Sequence, residues 1–158
     1  MHDDDYAIGL GRIIRNLHAL EMVLRVFLGE THKQTMNVPT AVGVMVPETY
    51  FTSYHSLGQL IAAYNQVLTI QEATFALDYE AVTVRDAIAH GRLLTTSPHY
   101  PLTLYKFGKP TAASVPLELL EVISERWLNE KTNLVFSQIK KVHECGKGRN
   151  YASFGELV

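Results

Sequence analysis

Val82-Thr83-Val84-Arg85-Asp86-Ala87-Ile88-Ala89-His90-Gly91-Arg92-Leu93 is the stretch on which both the fold and the chemistry turn. An apolar run with helical spacing ends there by presenting Arg85, Asp86, His90, Gly91 and Arg92 within eight residues. Glycine directly after His90 predicts a helix stop, because glycine takes a left-handed conformation without Cβ strain. His90 then falls in the last turn, where unpaired carbonyls and the helix dipole favour a positive charge. Asp86 lies four residues earlier on the same face and is the expected neighbour of the imidazole. Arg85 is five positions before His90, about 140° away around a straight helix at ~100° per residue. The two can bear on one atom only if the helix frays or a second copy of the chain supplies one of them, which points to a homodimer.

Outward from this stretch, the spacing predicts helices on both sides. Asp3, Asp4 and Asp5 suit the start of a first helix over 6–29, with Leu10, Ile13, Ile14, Leu17, Leu20, Leu24, Phe27 and Leu28 at helical spacing. A second stripe, Ala19, Met22, Val23 and Val26, widens its apolar surface towards a helix central to a bundle or a subunit contact. Glu21 interrupts that face as a solvated edge residue or as an internal partner for Arg85. Residues 31–52, with Pro39 and Pro47, form a long connection read as a lid or packing arm. Further helices are expected over 53–70 and 72–90, and a fourth from Leu117 to Cys145, with Pro116 before its first turn. Between the motif and that fourth helix, Leu93–Thr96 and Leu102–Phe107 read as a small β-hairpin. Gly146 and Gly148 should stop the last helix, leaving residues 146–158 as a tail that docks weakly or frays.

The motif Arg85-Asp86-x-x-x-His90, continued by Gly91-Arg92, resembles the R-[N/D/H]-x-x-x-H signature of the HEPN superfamily of small helical domains. The resemblance implies an all-α fold, an up-down bundle of four main helices with a small hairpin after the motif helix. It would form one domain over 1–158, with its core at about 5–145. It also implies a metal-independent endoribonuclease of a bacterial toxin–antitoxin or defence system, acting as a homodimer on RNA with an antitoxin or other protein partner encoded nearby. Arg85, Asp86 and His90 are then the catalytic group and Arg92 holds a neighbouring phosphate. Inactive, scaffolding members of the superfamily imply the alternative, a dimer that binds nucleotide, RNA or a protein without catalysis.

Composition narrows the other classes. With 47% apolar and 19% charged residues, 158 residues make a globular chain able to bury a core. A formal net charge of −2 argues against a protein that coats nucleic acid, though not against a local grip by arginines. The lone Cys145, the acidic start and the lack of any apolar run of ~18–20 residues lead to the expectation of a cytoplasmic protein without membrane spans. His2, His18, His32, His55, His90, His99 and His143 show no metal-ligand spacing, so no metal or other cofactor is expected. No G-x-S-x-G, P-loop or G-x-G-x-x-G occurs. Lys140-Lys141 and Lys147-Gly148-Arg149 are basic clusters read as solvated, or as contacts to an RNA backbone.

Overall fold

The computed structural model describes residues 3–36, 38–95 and 101–155. Its elements run α1 (Asp3–Thr31), α2 (Leu57–Gln66), a 3-10 turn (Ile70–Phe75), α3 (Glu80–His90), β1 (Arg92–Leu94), β2 (Thr103–Phe107), β3 (Leu117–Val122), α4 (Glu125–Gly148) and a last 3-10 turn (Ala152–Phe154). The chain is 56% helical and 11% strand, a mixed α/β protein rather than the all-α bundle expected. The expected hairpin is present as β1 and β2, but a third strand makes it an antiparallel sheet in the order β1-β2-β3. His2, His99, most of the hairpin turn and Leu157 lie outside the described residues.

β3 takes the place of the start expected for the fourth helix. Leu117-Glu118-Leu119-Leu120-Glu121-Val122 is built from good helix formers, yet it pairs with β2 from Thr103↔Val122 to Phe107↔Leu117. Propensity differences of a few tenths of a kcal/mol per residue yield to the ladder of backbone bonds that β2 offers. Pro116 lies before a strand instead of a helix, and its carbonyl accepts the Gly108 N–H at 2.9 Å. The helix begins only after Ser124, whose hydroxyl accepts the Trp127 N–H at 3.1 Å as an N-cap. It then runs unbroken past Gly146 and ends at Gly148, the second of the two glycines expected to stop it.

Two compact units divide the chain: Met1–Leu17 with Glu80–Val135, and His18–Tyr79 with Phe136–Val158. In the first, Ile13, Ala81, Val84, Ala87, Leu104, Ile123, Trp127 and Leu128 are buried. Gly9 lets α1 approach α4: a Cβ there would lie 2.5 Å from Leu128 Cδ1. The close helix contact falls on Gly9, whereas Gly11 has open space around it.

The second unit buries Leu20, Leu24, Phe27, Leu28, Leu60, Ile61, Tyr64, Val142, Cys145 and Phe154. Met22, from the proposed second stripe of α1, is 47% exposed. The helix predicted over 72–90 is interrupted here, because the Asn65 side chain bonds both the N–H (2.9 Å) and the C=O (2.8 Å) of Leu77 and substitutes for helical partners. The tail is anchored, not frayed: Phe154 is 2% exposed and packs against Gly146.

Candidate functional site

α3 positions the motif. Ala81, Val84 and Ala87 form its buried side, and the helix packs on β2, leaving Arg85 and His90 exposed and Asp86 partly so. It is α-helical through His90, without the fray that would let Arg85 and His90 converge. At about 100° per residue the two remain some 140° apart within one chain. Arg85 Nη1 instead donates to Asp86 Oδ1 at 3.0 Å. The expected pairing of Asp86 with His90 is not formed among the described residues, since the carboxylate turns to its neighbouring arginine.

Gly91 ends α3 by a different route from the one predicted. Its N–H donates to Ala87 O at 2.8 Å, and among the described glycines only Gly43 has a positive φ. The reason for glycine is space. A Cβ would run into the Ala87 carbonyl oxygen and lie 2.5 Å from Leu104 Cδ1 and 3.2 Å from Tyr105 O. The chain thus passes tightly against β2 and places Arg92 at the start of β1, opposite Tyr105. Gly91→Ala is expected to cost about 1–3 kcal/mol of stability, measured by urea unfolding, because backbone and a buried leucine must move.

The remaining charged groups are engaged elsewhere. Glu21 Oε1 accepts Arg25 Nη2 at 2.8 Å, so it is not the partner of Arg85. Arg149, read as solvated or RNA-facing, is instead held in the second unit by Glu72 through two bonds of 2.7 and 2.6 Å. Lys141 donates to Ala76 O at 3.1 Å. Burial pushes the Cys145 thiol and the Tyr64 phenol up from their ordinary pKa values, which makes Cys145 a packing residue.

Hollows among the described residues include one of about 220 Å³ beside Arg25, Gln34, Thr49 and Phe51 and one of about 600 Å³ beside Tyr6, Gly9, Arg12 and Leu128. Neither is lined by Arg85, Asp86, His90 or Arg92. Among the described residues no group of three or more His, Cys, Asp or Glu could hold a metal ion, and no helix is long and apolar enough to cross a membrane.

The geometry brings Arg92 to two residues that the sequence reading did not single out. Its Cζ lies 5.1 Å over the Phe107 ring centroid, and Phe107 stacks with Tyr105. The alternation Tyr105-Lys106-Phe107 in the predicted strand was the available signal, since it places both rings on one sheet face. No protein-family model matches the sequence, and no curated protein or solved structure is significantly similar to it.

Proposed function

We propose that the chain is a cytoplasmic, metal-independent endoribonuclease of a bacterial toxin or defence system, acting as a homodimer, as the HEPN-like motif implies. The observation that carries this reading is the end of α3: an exposed imidazole on the last helical residue, then a glycine and the exposed Arg92. In the reaction the ribose 2′-oxygen bonds to the adjacent phosphorus, the P–O5′ bond breaks, and a 2′,3′-cyclic phosphate remains. His90 takes the 2′-hydroxyl proton or supplies one to the departing O5′, because imidazole is the side chain that ordinarily titrates near neutral pH. Arg85 supplies fixed charge to the pentacoordinate phosphate, and Arg92 holds a neighbouring one. Asp86 orients Arg85, the group that it touches, in place of the imidazole. An unfrayed α3 keeps Arg85 and His90 on different sides, so the complete site takes the two groups from two subunits.

The test is cleavage of single-stranded RNA in EDTA. Wild type should yield cyclic-phosphate ends, and His90→Ala should slow cleavage at least about 100-fold while keeping the wild-type melting temperature. RNA left intact by wild type, or cleaved equally by His90→Ala, would sink the proposal.

One observation favours a second reading, a non-catalytic dimer that binds nucleotide, RNA or a protein such as an antitoxin encoded nearby. The Arg85 guanidinium is already paired with Asp86, a neutralised surface pair that need not take part in chemistry. On that reading wild type binds RNA or the partner without cutting RNA.

A further inference from the structure

The sheet of the first unit is covered on one face at its centre and open on the other. Leu93, Leu104 and Glu121 share the row that contains the buried centre: Leu104 is 1% exposed, Glu121 half-buried and Leu93, on the edge strand, 43% exposed. The alternate rows are Arg92–Tyr105–Leu120 and Leu94–Thr103–Val122, with Phe107 two residues beyond Tyr105. This second face stays uncovered: Leu120 is 57%, Val122 49% and Phe107 39% exposed.

What it displays is chemically selective. The Tyr105 and Phe107 rings are nearly parallel, 9° between planes with centroids 6.5 Å apart, so they offer stacking surfaces of one orientation. Arg92 lies over Phe107 and has no carboxylate partner among the described residues. A cation–π contact uses the flat side of the guanidinium and leaves its in-plane N–H donors free for phosphate oxygens. The strand carboxylates do not neutralise it: Glu118 pairs with Lys106 at 3.3 Å, and Glu121 belongs to the other row. The charge in the rows of the open face is therefore positive, complementary to a polyanion that brings its own flat rings.

We propose that this face binds single-stranded nucleic acid, with unpaired bases stacked on Tyr105 and Phe107, ribose against Leu120 and Val122, and a phosphate on Arg92. A duplex would not serve, because its bases are already stacked on one another and their faces are hidden. The inference builds on the ribonuclease reading in one respect, that Arg92 is two residues from His90 and so leads the bound strand to the motif. Binding itself requires no cleavage.

The test measures fluorescence anisotropy of a labelled 2′-O-methyl oligouridine, whose blocked 2′-oxygen cannot attack, with full-length protein. Wild type should bind this strand and not its duplex with oligoadenosine. Phe107→Leu, which keeps apolar bulk and removes the ring, should weaken binding by about 5- to 100-fold, the loss of one stacked base. Arg92→Gln should weaken binding and reduce the salt slope of log K by about 0.7, the loss of one phosphate contact. Near-UV dichroism confirms that both variants are folded. Absence of binding by wild type, or binding by both variants equal to that of wild type, overturns the proposal. So does a dimer that falls apart in Phe107→Leu with binding intact, which would make the face a subunit contact. Wild type that binds the strand but cuts no RNA removes the ribonuclease reading and leaves this one standing. Cleavage with unchanged KM in Phe107→Leu does the reverse.

Discussion

Arg149→Met should lower the unfolding free energy by about 2–4 kcal/mol, seen as an earlier urea midpoint with an unchanged slope. Arg149 is more than an ion-pair partner. Its Nε and Nη2 grip both oxygens of Glu72, Nη2 also donates to Val67 O at 2.7 Å, and Nη1 donates to the Tyr151 hydroxyl at 3.1 Å. The guanidinium lies 5.0 Å over the Phe27 ring, and both members of the ion pair are largely buried. Methionine fills much of the volume but leaves Glu72 Oε1 and the Val67 carbonyl without the donors that Arg149 supplies, and that loss exceeds the loss of the pair itself. Glu72→Gln is the gentler change, since an amide still accepts from Arg149.

The same pair sets a pH dependence. Hydrogen bonds from Arg149, and then from the Thr69 N–H and hydroxyl, hold the Glu72 carboxyl down to about 2 from the usual 4.5. Because the folded value is the lower one, the unfolded chain binds the proton more readily, and stability rises with pH across this interval. The contribution is fully present above about 4.5 and is lost as the pH falls towards 2. Melting temperatures between pH 5 and pH 3 should fall more steeply for wild type than for Glu72→Gln; parallel lines would show that another carboxylate controls acid sensitivity.

Arg25→Met is the second large effect, about 2–5 kcal/mol, for a related reason. Arg25 is only 9% exposed and organises the end of the long connection after α1. Its Nη1 donates to Tyr50 O at 2.7 Å and Ser53 O at 2.9 Å, and its Nη2 to His55 O at 2.9 Å and Glu21 Oε1 at 2.8 Å. Three backbone carbonyls of an irregular segment thus find in one side chain the partners that a helix or sheet would supply. Removing it should also raise amide exchange selectively over residues 50–57, before global unfolding. Arg25→Lys should fall between, because an ammonium cannot span carbonyls and carboxylate in one plane. Uniform exchange across the second unit would refute the idea of a local staple.

The connection expected to be a lid or packing arm is, over residues 50–55, a segment tied to α1 by this arginine. Nothing in the sequence marked Arg25 or Arg149 as internal. An arginine at helical spacing on a polar edge reads as solvated until distant residues are known to close over it, and both guanidiniums gather partners from 25 or more residues away.

What the sequence determined by itself is local in origin: the course of α1, the existence of α2 and α3, the extended segments after Gly91, and the gathering of Arg85, Asp86, His90 and Arg92 into eight residues. Side-chain periodicity and capping chemistry act over three or four residues, so one chain segment suffices to reveal them. Tertiary structure alone decided that Leu117–Val122 is a strand, that Gly91 is required for space rather than for a left-handed turn, that Asp86 turns to Arg85, and that Tyr105 and Phe107 join Arg92 on an open sheet face. Each depends on a partner brought from elsewhere in the chain or on a choice between competing neighbours, and local preferences of a few tenths of a kcal/mol cannot settle either.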